Sequence, residues 1–320
     1  MSGKQKPNAK GGQFAFFLLD TRDLDQKDRS FILSKEDIEL INPNTKTCPI
    51  FRSQRDAELT KAIYRRVPVL INENDPENGN PWGISFKAMF HMSNDSGLFR
   101  TRQKMEEEGW ELTGNVFEKD GEKYLPLYEA KMIHHFDHRW ATYEPDGSIR
   151  KVTPEEKKNP DFASMPRYWV PEWEVIKRGS QVANKLIKAY DNEDEEKLTI
   201  EMQLELGEEF EGYVTGDIFN AAEKVIEERC PKWFLGWRDI CRSTDERTVI
   251  CSRVPRAGVG HKFLLFWGIE GIEILEGLFS SFIFDYIARM KTPGTSLSYF
   301  ILRQLPVINK HTLLKHKKWL

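Results

Sequence analysis

The sequence predicts an α+β fold of mixed strands and helices, with a helical segment in the middle of the chain. Three observations lead to this prediction. Short aromatic and β-branched runs are bounded by turn residues, apolar residues recur at helical spacing after capping residues, and the Asp120-Gly121 pair is typical of a hairpin turn. The 320 residues are enough for two packed units or one large domain.

The N-terminal elements begin with an apolar stretch, FAFFLLDT at 14–21, which predicts a buried strand. Ser34 and Asp37 have the spacing of a capping box and predict the start of a short helix. Helical spacing over 53–67, stopped by Pro68, predicts a second helix.

The following elements lead to one unusual stretch. Residues 82–92 alternate between apolar and polar and predict a strand, and 93–109 predict a charged helix. The hairpin around Asp120-Gly121 leads into a strand that we expect to carry LYEAKMIHHFDHRWATY, 127–143. The remaining predictions are a loop at 144–171, helices over 180–228, strands at 233–242, 247–255 and 261–268, a helix at 274–291 and a helix beginning at 296.

Composition divides the chain into four segments. We expect a disordered tail at 1–13, a first α+β part at 14–178, an acidic helical segment at 179–228 and a basic α+β part at 229–320. In the last segment basic residues outnumber acidic ones roughly two to one, although the net charge of the chain is only −3. The chain is therefore not a generally basic nucleic-acid binder, and nucleic-acid contacts are expected from local patches. The acidic run is typical of a solvated helical face.

Missing patterns argue against several classes of protein. The four cysteines form no C-x-x-C pair, which disfavours a zinc ribbon or a disulfide framework and favours the cytoplasm. No apolar run reaches the about 18 residues that span a bilayer, and we expect no signal peptide. Neither a P-loop, a dinucleotide-binding glycine pattern nor a nucleophile elbow is present.

Two interpretations of the 127–143 stretch give it a chemical role, one as a nuclease motif and the other as a metal site. Glu129-Ala130-Lys131 fits half of a PD-(D/E)-x-K nuclease pattern, with Asp120 as the second carboxylate for Mg²⁺. Four side chains, those of His134, His135, Asp137 and His138, are possible metal ligands. On a strand, however, alternate residues face opposite sides, so these ligands would be divided.

The alternative interpretation is a strand that packs its apolar side and projects polar groups outward. His134 and His138 suit base edges or phosphate, because a neutral imidazole both donates and accepts hydrogen bonds. Lys131 and Arg139 add positive charge for the DNA backbone.

Further DNA-binding candidates lie elsewhere in the chain. The basic C-terminal part contributes Arg238, Arg242, Arg247, Arg253, Arg256 and Lys262, which we expect on strands or turns of one basic region. Arginine forks onto guanine or clamps phosphate, and Asp239, Asp245 and Glu246 are placed to orient these side chains. Asn94 at a strand-to-helix junction and Thr295 beside a tight turn are candidate phosphate contacts.

Several stretches together resemble one family. They are RSFILSKEDIELINPNTKTCPIFRSQRDAELTKAIYRRVPVLI, WGISFKAMFHMSNDSGLF, YLPLYEAKMIHHFDHRWATY, WFLGWRDICRSTDERTVICSRVPRAGVGHK and KTPGTSLSYFILRQLPVI. This set, in this order, is similar to the C-terminal target-recognition region of large N6-adenine DNA methyltransferases. Those enzymes belong to type IIG restriction–modification and to phage-defence systems such as DISARM and BREX.

The resemblance implies a recognition module without its catalytic domain. The methyltransferase domain that precedes this region in the family has no counterpart in these residues. We therefore expect double-stranded DNA and a catalytic subunit or domain as partners. S-adenosylmethionine is expected on the catalytic domain and no cofactor on this chain, which by itself would have no activity. The alternatives are the Mg²⁺-dependent nuclease and a structural subunit that docks a partner through 191–228.

Overall fold

The computed structural model describes residues 10–268, 271–292 and 294–315, and it confirms the α+β class. The strands are β1 (Gly12–Ala15), β2 (Ser30–Leu33), β3 (Ser85–Lys87), β4 (Glu111–Thr113), β5 (Val116–Lys119), β6 (Glu122–Tyr128), β7 (Ala141–Tyr143), β8 (Ile149–Lys151), β9 (Trp169–Pro171), β10 (Trp233–Arg238), β11 (Cys251–Pro255), β12 (Gly258–Val259) and β13 (Phe263–Trp267). The α-helices are α1 (Lys35–Ile41), α2 (Gln54–Arg66), α3 (Arg102–Glu107), α4 (Pro154–Lys158), α5 (Glu172–Gly179), α6 (Asn184–Asp191), α7 (Glu195–Leu206), α8 (Phe210–Tyr213), α9 (Ile218–Glu228), α10 (Ile272–Phe279), α11 (Phe282–Lys291), α12 (Tyr299–Leu302) and α13 (Lys310–Lys315). Among these helices, none has the length and apolar character that crossing a membrane requires.

The chain forms two compact units that are discontinuous in sequence. Unit 1 comprises the described residues of 1–84, 239–250 and 269–320, and unit 2 comprises 85–238 and 251–268. The divisions that we expected after residues 178 and 228 both fall inside unit 2. Most of the expected N-terminal tail lies outside the described residues, although its last two positions belong to β1.

Unit 1 confirms the two capped helices. Ser34 and Asp37 form the expected capping box at the start of α1, each side chain accepting a backbone N–H at the other residue. Ser53 caps α2, which ends before Val67 and Pro68 because proline cannot continue a helix.

Two expectations for unit 1 are wrong. The strand expected at 14–21 ends at Ala15, because Phe17 adopts a positive φ of 56°. Leu19 is 99% exposed, so the second half of this stretch is not buried. The helix expected at 274–291 is broken into α10 and α11, because Ser281 turns away from helical geometry and caps the second helix.

Unit 2 is built around two sheets. One has the antiparallel order β11-β10-β13-β3. The other has the order β12-β6-β5-β4, with β9 also pairing β6 and with β12 parallel to β6. The hairpin between β5 and β6 turns at Asp120 and Gly121, as expected, and both residues have the positive φ that such a turn requires.

Short elements replace two longer predictions in unit 2. The strand expected at 82–92 is limited to β3, and the helix expected at 93–109 is a 3-10 turn at Ser96–Leu98 followed by α3. The loop expected at 144–171 contains β8, α4 and β9.

The acidic segment confirms the prediction of helices over 180–228, where α6 to α9 lie. Its apolar residues join the main core of unit 2, and Leu198, Met202 and Ala222 are fully buried there. The segment is therefore part of the unit's core and not a separate body. Ile200 and Leu204 of α7 are 48% and 75% exposed.

Candidate nucleic-acid interface

The 127–143 stretch is not one strand, which corrects the sequence prediction. β6 ends at Tyr128 and is followed by a 3-10 turn at Ala130–Met132. His134 and Asp137 then close a tight turn, in which the amide of His134 donates to the carbonyl of Asp137 at 2.8 Å and the reverse bond is 3.0 Å. The expected alternation of faces therefore does not apply to the histidines.

The side chain of Asp137 stabilises this turn. Its carboxylate accepts from the amide of Arg139 at 2.9 Å and from Nζ of Lys157 at 2.5 Å. A carboxylate held by a backbone amide and an ammonium forms charge-assisted bonds, which are stronger than neutral ones. The turn is thereby tied to α4, the helix that carries Lys157.

The guanidinium of Arg139 is used inside the fold. It donates to the carbonyl oxygens of Lys157 at 3.1 Å, Phe162 at 3.2 Å and Asn159 at 3.5 Å. These bonds hold the loop after α4 against the turn. The geometry assigns Arg139 a structural role, which the sequence prediction of a DNA backbone contact did not include.

Trp140 is the centre of a cluster of cationic and aromatic side chains. We call it the Trp140 cluster, and its members are His134, Trp140, Lys151 and Lys157. The imidazole of His134 stacks on the indole with centroids 4.3 Å apart and planes 29° apart. Nζ of Lys151 lies 4.7 Å and Nζ of Lys157 5.0 Å from the centre of the indole, within the range of cation–π attraction.

His138 lies beside an exposed aromatic residue, Trp233. Its ring is 5.8 Å from that of Trp233, which is 50% exposed, and 6.4 Å from that of Tyr128. Burial lowers the pKa of His138 below its usual 6.5, and the charge of Arg139 lowers it further. The ring is therefore neutral at pH 7 and is able to donate one hydrogen bond and accept another.

Lys131 belongs to a group that ties the end of β6 to β7. Its Nζ lies 3.4 Å from Oε2 of Glu129 and 5.0 Å from the centre of the Tyr143 ring. The Tyr143 hydroxyl donates to Glu129 at 2.5 Å, and burial together with this bond raises the pKa of Tyr143. Lys131 remains about half exposed.

The structure separates the residues of the nuclease alternative. Asp120 lies in the turn before β6 and Glu129 follows its other end, so seven strand residues stand between them. At roughly 3.3 Å per residue, the strand alone separates the two main-chain positions by about 20 Å, which is too far for their carboxylates to share a metal ion. Within the described ranges, no three His, Cys, Asp or Glu side chains converge in a group fit to hold a metal.

Asn94 and Lys262 each follow a histidine of a stacked pair in unit 2. Phe90 bridges Gly260, and the amide of His261 donates to the carbonyl of Phe90 at 2.8 Å. The rings of His91 and His261 stack with centroids 5.0 Å apart. Asn94 and Lys262 follow these two histidines closely in sequence, and both are exposed.

The remaining candidates of unit 2 lie on or beside β10 and β11. Arg238 ends β10, and Arg253 is paired with Leu235 across the ladder. The amide of Arg256 donates to the carbonyl of Lys232 at 2.9 Å, next to the exposed Trp233. All three arginines are partly buried.

The predicted single basic region is divided between the two units. Arg242, Arg247 and Thr295 belong to unit 1. The guanidinium of Arg247 donates to the carbonyl of Ser280 at 2.6 Å and lies 3.6 Å from the Asp285 carboxylate, so it holds helix ends together. Arg242 and Thr295 are exposed.

Sequence reasoning missed four residues that shape the surface around the 134–137 turn. They are Phe136, Trp140, Lys151 and Lys157. Phe136 and Trp140 lie within 127–143, but neither is among the DNA-binding candidates that the sequence predicts. The two lysines lie outside it, and only the β7-β8 hairpin and α4 bring them to Trp140.

No protein-family model, curated protein or solved structure matches this chain.

Proposed function

We propose that this chain is the DNA sequence-recognition module of an adenine-specific DNA methyltransferase in a restriction–modification or phage-defence system. In this proposal it acts in the cytoplasm and binds double-stranded DNA through unit 2. A separate catalytic domain binds S-adenosylmethionine, extrudes the target adenine from the duplex and methylates it. The chain itself positions DNA and performs no catalytic step.

The observation that supports the proposal best is the Trp140 cluster, together with His138 and Trp233. Trp140 is partly buried and Trp233 is half-exposed. Basic groups beside such aromatic rings suit DNA, because ammonium groups bind phosphate and rings contact bases. Two members of the cluster, His134 and Trp140, lie in YEAKMIHHFDHRWATY, whose first twelve residues are among the more specific ones in the resemblance to the methyltransferase family. Motif and geometry thus support the same ligand.

In this proposal the side chains have two roles. Lys131 and Lys151, both exposed, neutralise phosphates and set the register of the protein on the duplex. His138 is neutral beside Trp233 and meets a base edge, where a group that both donates and accepts is useful.

The test is DNA binding by a double variant, Lys131→Ala with Lys151→Ala, over a salt series. If both lysines contact phosphate, the slope of log K against log salt becomes shallower by about two. The matched control is Lys185→Ala with Lys188→Ala, two exposed lysines of α6 in the acidic segment, which should leave the slope unchanged. Equal slopes in the two double variants would contradict the placement of the interface.

A further inference from the structure

Phe136 occupies the outer corner of the turn that His134 and Asp137 close. Its side chain is 65% exposed, and its backbone φ is +54°. That left-handed conformation is disfavoured for a bulky side chain, whereas glycine adopts it without steric cost. The turn therefore holds an aromatic ring in water at a position where glycine would be the less strained residue.

The turn presents this ring on a rigid support. Ile133, immediately before the turn, is fully buried, and the Asp137 carboxylate after it is held by Arg139 and Lys157. The two main-chain bonds between His134 and Asp137 fix the corner itself. A ring on such a support loses little conformational freedom on binding, which favours affinity.

The surroundings of Phe136 indicate the chemistry of its ligand. His134 and Lys157, members of the Trp140 cluster, belong to or contact the same turn. A projecting apolar ring beside cationic groups matches the two components of DNA, a base stack and a phosphate backbone. Proteins that deform DNA insert Phe, Leu, Ile or Met side chains between base steps in this way.

We propose that Phe136 is a wedge that inserts between, or stacks on, DNA bases at the bound site. This inference rests on the proposed function, because it assigns one residue a role within the DNA contact. Insertion costs the stacking energy of one base step. The protein should therefore bind more tightly to DNA in which that step is already disrupted.

The experiment compares a short mixed-sequence duplex with the same duplex carrying one central abasic site, using the full chain. We expect the wild type to bind the abasic duplex about tenfold more tightly, since one base–aromatic contact is of that size. Phe136→Gly should abolish this preference while retaining salt-dependent binding to the intact duplex. Phe136→Trp keeps an aromatic ring and should retain the preference.

Two controls show whether a lost preference for the abasic duplex reflects the Phe136 ring itself, and not unfolding or a general effect of removing an exposed apolar side chain. Phe136→Gly relieves the positive φ, so its melting temperature should be equal to or above that of the wild type. Leu204→Ala, at another exposed apolar side chain of unit 2, should leave the preference unchanged. A preference that is absent from the wild type, or that survives in Phe136→Gly, would overturn the inference alone. If the wild type does not bind the intact duplex at all, the proposed function is overturned as well.

Discussion

Among the single residues of the proposed interface, His138 is a neutral ring at pH 7. The rings of Tyr128 and Trp233 lie beside it, and burial lowers its pKa below 6.5. Neutral imidazole offers both a donor and an acceptor, whereas the imidazolium offers donors only. In the proposed DNA contact, His138 therefore offers a hydrogen-bonding pattern and not a charge.

The same pKa shift predicts a pH dependence of stability. Because the folded pKa of His138 is lower than the unfolded value, the unfolded chain binds the proton first as the pH falls through 6.5. Acidification through this range therefore destabilises the fold. We expect His138→Gln to lose less free energy of unfolding than the wild type between neutral pH and about pH 5. Denaturant unfolding at the two pH values measures the difference, and equal losses would contradict the shift.

Arg139 gives a second prediction for a single residue. Its guanidinium donates to the carbonyls of Lys157, Asn159 and Phe162, so Arg139→Ala removes three charge-assisted hydrogen bonds that hold the loop after α4. We expect a loss of about 2 kcal/mol in the free energy of unfolding. Arg139→Lys should restore little of it, since an ammonium lacks the planar fork. Unfolding of Lys158→Ala, an exposed neighbour, is the control, and an equal effect there would contradict the assignment.

At the scale of elements, the close approach of β10 to β13 depends on one glycine. A methyl group on Gly236 would lie 2.4 Å from the Phe263 ring and 2.5 Å from the carbonyl oxygen of Leu264. We expect Gly236→Ala to lower the free energy of unfolding by about 1–3 kcal/mol through overpacking. Gly212→Ala, where a methyl group meets open space, is the control for thermal unfolding. If Gly236→Ala leaves the melting temperature unchanged, β10 and β13 accommodate the added methyl group and the prediction is wrong.

Elements with local signals were predictable from the sequence. The Ser34 and Asp37 capping box, the end of α2 before Pro68 and the Asp120-Gly121 hairpin each depend on residues close together in the chain. Their chemistry fixes a turn or the end of a helix before any tertiary contact forms. The structure confirms all three.

The turn at His134–Asp137 was not predictable in the same way. Phe136, the corner residue with positive φ, has a bulky side chain that rarely adopts this conformation, so it gave no turn signal. The turn is held by Arg139 and by Lys157, which comes from α4. Since Lys157 lies 20 residues from Asp137, the alternation of apolar and polar residues in 127–143 gave no sign that a turn interrupts the expected strand.

At the scale of the whole molecule, each unit is assembled from separated parts of the chain. In unit 2, β3 pairs with β13, and β12 pairs with β6 across more than a hundred residues. Such pairings leave no periodic signal in the sequence. The segment boundaries expected from the sequence were therefore placed where the charge composition changes. For the same reason the basic residues expected in one region are divided between two units.

This organisation makes a prediction about truncation. A fragment ending at residue 178, the boundary expected before the acidic segment, would lack β10, β11 and β13, and β3 would lose β13, its partner among the described strands of the sheet. We expect this fragment to show no cooperative thermal unfolding, whereas the full chain does. A sharp transition in the fragment would mean that the core of unit 2 does not need these strands.

The measurement that tests the central claim most directly is equilibrium DNA binding by the full chain over a salt series, with Mg²⁺ present and absent. A recognition module predicts affinity that falls steeply with salt, by about 0.9 in log K per phosphate contact for each tenfold rise in salt, without strand cleavage. Absence of binding to any duplex, or binding that does not depend on salt, would contradict the account. Mg²⁺-dependent cutting would contradict the assignment of the chain as a module without catalytic activity.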